Sequence, residues 1–136
     1  MLAQDSFLYE YAVVRYVPRV DREEFTNIGL IMLCKRNRWL AGRIHIDEDR
    51  VRAFDPKVNL ENLQKQASIF TRKDIPDRSL PEEEKYRWLS AVKSAVLQVS
   101  PSHPGLLPQT DTETSSIPFM LEEEFNRLFN NMVAVN

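Results

Sequence analysis

Residues 27–34 read Asn-Ile-Gly-Leu-Ile-Met-Leu-Cys, and this nearly unbroken apolar run decides the fold. Eight residues suit a strand better than a helix, and a continuous apolar run fits a strand buried on both faces. The polar turn Lys35-Arg36-Asn37-Arg38 ends it. Residues 39–46 (WLAGRIHI) then alternate, placing Leu40, Ile44 and Ile46 on one face and Trp39, Arg43 and His45 on the other. Upstream, residues 10–17 (EYAVVRYV) are rich in Val and Tyr, and Pro18 is expected to end that strand. Short polar connections predict an antiparallel meander of these three strands.

Further along, the pattern turns helical. Asp47 can cap a short helix reaching Phe54, with Glu48 and Asp49 where the helix dipole favours acids. Asn59 can cap a second helix, on which Leu60, Leu63, Ala67 and Phe70 form an apolar stripe. Ser79 and Glu82 have the spacing of a capping box for a third helix carrying Tyr86, Leu89 and Val92. Residues 95–99 (AVLQV) predict a fourth strand. Residues 100–105 read as a turn, because Pro101, Pro104 and Gly105 disfavour regular structure. A last helix begins near Pro118, with Leu121, Phe125, Leu128, Phe129 and Met132 on its apolar face. Strands first, helices after and one late strand predict an α+β fold: an antiparallel sheet of about four strands with helices packed mainly on one face.

Composition narrows the function classes. The chain has 136 residues, 43% hydrophobic and 28% charged, which predicts one domain over residues 1–136 rather than a disordered or fibrous chain. A net charge of −2 gives no global basic field toward nucleic acid. Residues 1–75 hold 13 Lys and Arg against 11 acids, and residues 76–136 hold 5 against 9, too mild a split to mark two domains. One cysteine, Cys34, leaves no internal disulfide and no multi-cysteine zinc site. No basic leader followed by an apolar run opens the sequence, and the longest apolar stretch is far short of a membrane span, so the cytoplasm is expected and no membrane.

No complete catalytic motif is present. Gly29, Gly42 and Gly105 are scattered, so no phosphate-cradling loop forms. His45, Asp47, Glu48 and Asp49 do not complete a ligand set, and neither a metal nor another cofactor is expected. Arg15 interrupts an apolar strand, so it either pairs internally, with Glu24 or Glu23, or clamps an anion. Glu24 is a candidate acid or base beside apolar surface, and Asn27 can close the turn before the buried strand. Ser100, Ser102 and His103 bring hydroxyls and an imidazole to a strand end, without a visible orienting partner. Cys34 reads as an inert buried thiol. The cations Lys35, Arg36, Arg38, Arg72 and Lys73 lie in loops of a chain with acids interspersed throughout, the mark of a solvated surface more than of a phosphate-binding one.

Two blocks carry a resemblance. Residues 9–18 (YEYAVVRYVP) with 22–29 (REEFTNIG), and residues 85–89 (KYRWL) with 94–105 (SAVLQVSPSHPG), resemble the DUF3037 family of bacterial proteins of unknown function. Where that family tends to have Ala-Pro-Arg-Ser, this chain has Ala91-Val92-Lys93-Ser94; lysine keeps the charge and loses the bidentate fork. The resemblance maps the family motif onto Arg15, Glu24, Asn27, Ser100 and His103. It also suggests an accessory or regulatory subunit, because genes of this family often lie beside one for a kinase-like protein. Two expectations follow. The first is a small cytoplasmic protein-binding or regulatory module with a protein partner. The second is an enzyme or ligand-binding protein acting on an anionic, phosphoester-type group through Arg15, Glu24 and His103. Nucleic acid is not expected as a partner.

Overall fold

A computed structural model describes residues 6–72, 74, 76–91, 94, 96–108 and 117–134. Its spine is the pair β1 (Ser6–Arg19) and β2 (Glu24–Cys34), joined by a single 3-10 turn, with β3 (Trp39–Ile44) added beyond β2. Every residue of β2 from Ile28 to Cys34 is buried, as its apolar composition predicts for a central strand. On the far side of β1, two short strands lie end to end. β4 (Leu97–Val99) pairs with the later half of β1, and β5 (His103–Pro108) with its first half. All ladders are antiparallel.

Two irregularities bend the β1–β2 ladder. Val14 pairs with Gly29 but Arg15 pairs with Asn27, leaving Ile28 as the extra residue. A second shift separates Tyr16 from Arg19, so Pro18 sits at an irregularity inside β1 and does not end it. The other correction concerns residues 100–105. Pro104 and Gly105 belong to β5, because an edge strand needs no N–H on its outer side. The sheet therefore has five strands.

Two cores follow from strand alternation. On one face, Ala12, Val14, Ile31 and Leu33 pack with Val51 of α1 (Glu48–Phe54), Leu63 and Ala67 of α2 (Leu60–Ala67), and Tyr86 and Leu89 of α3 (Glu82–Ser90). On the other, Val13, Leu30 and Met32 pack with Leu121, Phe125, Leu128 and Phe129 of α4 (Ile117–Met132). Among the described residues, three helices thus share one face and α4 covers the other. Leu40, Ile44 and Ile46 join the first core and Trp39 the second, as the alternation of β3 predicts.

The caps at Asp47 and Asn59 are present: their side chains accept from the backbone N–H of Arg50 at 3.2 Å and of Asn62 at 3.0 Å. The capping box at Ser79 is not. Helix α3 starts after Pro81, and the Ser79 hydroxyl donates to Asp77 instead. Lys73, Val92, Lys93 and Ala95, each used in the sequence reading, lie outside the described residues.

Candidate functional site

The five motif positions fall at different levels of β1. Arg15 and Asn27 are direct cross-strand partners and share the α4 face of the sheet. The Arg15 guanidinium lies 4.2 Å from the centroid of the Phe25 ring, a cation–π contact. Its Nε is buried without a hydrogen-bond partner. Asn27 does not close a turn: its amide donates to the Met132 carbonyl at 3.0 Å and so ties down the end of α4. Glu24 is exposed and pairs with Arg22, not with Arg15. Glu24 thus pairs with a near neighbour in sequence, while Arg15 lies over the aromatic ring.

Ser100 is 4% exposed. Its hydroxyl accepts from the Val13 N–H at 2.9 Å and donates to the Pro101 carbonyl at 3.0 Å, bridging the gap where β4 gives way to β5. That hydroxyl serves the backbone. His103 is exposed and lies against Tyr11, with ring centroids 5.4 Å apart. Tyr11 precedes Arg15 by four residues, about 13 Å of strand, and Glu24 lies opposite Arg19, a further four residues along. Arg15 and Asn27 are thus brought together; His103 and Glu24 stand apart from them on either side.

A different set of polar side chains does meet. The Tyr86 hydroxyl lies 2.7 Å from that of Ser102, which donates to Glu10 at 3.2 Å, and Arg87 approaches Glu10 at 3.7 Å. These residues come from both blocks that carry the family resemblance. Burial is the first reason the Tyr86 phenol is raised above its ordinary value. The network joins α3 to the β1–β5 junction. Cys34 is buried, and burial pushes its thiol up, away from reactive thiolate.

A cleft lies elsewhere, along the outer edge of β3. It has a volume of about 450 Å³, within the range of ligand and peptide clefts. Its floor is β3 itself, from Trp39 to Arg43. Phe70 and Leu89 line it on the three-helix side, and Phe125 on the α4 side. Gly42 is required here, because a Cβ would run into the Phe70 carbonyl oxygen. The rim carries Arg38, Arg43, Arg72 and Lys85 against Glu82 and Glu122. Arg43 is held over the Phe125 and Phe129 rings, at 4.9 and 5.0 Å from their centroids. Its alternation with Trp39 was visible in the sequence. That Phe70 and Phe125 would wall the same edge was not, because they arrive from opposite faces of the sheet.

A family model described as "Protein of unknown function (DUF3037)" matches residues 11–133, and the chain belongs to that family. No curated protein and no solved structure matches it.

Proposed function

We propose that this DUF3037 protein is a small protein-binding or regulatory module, and that a polypeptide partner docks in the groove along β3. The observation that carries this reading is the unpaired edge of β3 at the bottom of a 450 Å³ cleft. Among the described residues no strand pairs with that edge. A sheet edge recognises polypeptide in particular, since its backbone N–H and C=O groups alternate at the spacing of another strand. The kinase-like protein suggested by the family resemblance is the partner this reading proposes, with the present chain as accessory subunit. Its proposed compartment is the cytoplasm, and among the described residues no helix is long and apolar enough to cross a membrane.

A second reading, binding or chemistry on an anionic phosphoester-type group, rests on the buried unpartnered Nε of Arg15. It needs Glu24 and His103 to act at a distance from Arg15, and is the weaker for that. Co-purification separates the two. The tagged wild-type chain is expected to retain a stoichiometric protein, and an Arg43→Glu/Arg72→Glu variant to lose it. Equal retention by both would remove the β3 groove from the account. Thermal stabilisation by inorganic phosphate that Arg15→Ala abolishes would favour the second reading.

A further inference from the structure

We infer that the occupant of the β3 groove is an extended, acidic polypeptide segment that joins the sheet as a sixth strand. This rests on the docking reading above and adds to it the conformation and charge of the partner.

Backbone direction supplies the first argument. The His45 N–H donates to the Ile28 carbonyl at 2.7 Å. Antiparallel alternation then turns the backbone groups of Ala41 and Arg43 toward β2, and those of Leu40, Gly42 and Ile44 outward, the first two into the groove. Three donors and three acceptors at two-residue spacing match one face of an added strand of about five residues. Strand side chains alternate, so the added segment would present one set to Phe70 and Leu89 and the other to Phe125.

Charge supplies the second. Four cations and two acids line the groove of a chain whose net charge is −2. Cations occur on both walls: Lys85 and Arg72, the latter already forked onto Asp74 at 3.0 and 2.7 Å, on the three-helix side, and Arg43 on the side of α4. A segment with carboxylates facing α4 would meet Arg43, which the Phe125 and Phe129 rings hold at the groove. A second copy of this chain, paired edge to edge, would bring two sets of the same cations together, which disfavours self-pairing.

The test uses the full chain and a fluorescent hexapeptide of alternating glutamate and valine, read by anisotropy. Binding is expected, with affinity reduced about tenfold or more when lysine replaces glutamate, or when Arg43→Glu/Arg72→Glu replaces wild type. Peptides N-methylated at alternate positions settle the strand geometry on the unaltered protein: one parity is expected to lose binding and the other to keep it. Equal binding of the lysine peptide would overturn the acidic occupant while leaving the docking reading intact. Tolerance of methylation at both parities would overturn strand addition. Binding of a hexanucleotide RNA in place of every peptide would overturn both the inference and the docking reading. Self-association displacing the peptide would assign the edge to a second copy and overturn the inference.

Discussion

The two edges of this sheet solve the same problem in opposite ways. The β4–β5 edge is broken into short pieces, and its longer piece contains Pro104 and Pro108, which offer no N–H to a further strand. Prolines and short strands are a common protection against edge-to-edge association. The β3 edge has six residues, no proline and a cleft in front of it. Its flanking walls and cations restrict what can approach, but its backbone is left able to pair. One edge is closed by chemistry; the other is guarded by shape and charge. The contrast teaches that an open edge in an otherwise protected sheet is a better guide to a binding surface than isolated polar residues on the strands.

The largest blow to this contrast should come from Phe125→Ala. Phe125 is 2% exposed and serves both the α4 core and a groove wall. Its loss should cost about 3–5 kcal/mol by urea unfolding and abolish peptide binding.

Each edge also has a glycine under close cover, and the pair sharpens the comparison. A Cβ at Gly42 meets the Phe70 backbone, and one at Gly105 meets the Tyr9 ring that lies across it. Gly42→Ala should destabilise by about 1–3 kcal/mol, because a backbone carbonyl has to shift. Gly105→Ala should cost less, since a side chain can move, but it should disturb the hydrogen bond from Tyr9 to Glu124. Denaturation midpoints of the two variants give the order directly.

Changing pH acts on the β5 side first. Arg127 is the leading reason the Glu124 carboxyl lies below its ordinary value, with the Tyr9 phenol adding to it. A lowered folded-state value means stability that is present above the unfolded value of 4.5 and is lost as pH falls through the folded one. Tyr9 and Tyr16 have the opposite sign. Burial, then hydrogen bonds to Glu124 and Asp55, raise them, Tyr16 up to about 12. Their contribution is complete below the unfolded value of 10.0 and is lost as pH rises through the folded values. Glu124→Gln should flatten the acid limb of the stability profile, measured by unfolding between pH 3 and 6 (about the range of free carboxylates).

The smallest effect on stability should come from Pro104→Val/Pro108→Val, within about 0.5 kcal/mol. Its effect on association should be large by comparison. Restored N–H groups would reopen the β5 edge, where Leu8 and Leu106 are already exposed, and light scattering should show concentration-dependent dimers. A strictly monomeric variant would show that the prolines are not what closes that edge.

Local signals in the sequence carried much of the fold. The apolar run of β2, the alternation of β3, and the caps at Asp47 and Asn59 depend on neighbours within a few residues. β5 was hidden because Pro104 and Gly105 imitate a turn, and only pairing with β1 makes them a strand. The position of α4 on the opposite face was equally hidden, since an amphipathic helix does not state which face of a sheet it will cover. Site residues were legible as candidates but not as a constellation. Arg15 stood out as a charge in an apolar strand, yet its companion proved to be Phe25 rather than Glu24. The groove depends on Phe70, Leu89 and Phe125 meeting β3 from three separate segments, and no spacing along the chain encodes that.

Hydrogen exchange at single-residue resolution tests the central claim most directly. In the free protein, the amides of Ala41 and Arg43 should be protected by β2, while those of Leu40, Gly42 and Ile44 should exchange faster. Adding the acidic hexapeptide should slow those three and leave the β5 amides unchanged. Slow exchange at Leu40, Gly42 and Ile44 in the free chain, or no change in them with peptide bound, would contradict an open edge that receives a strand.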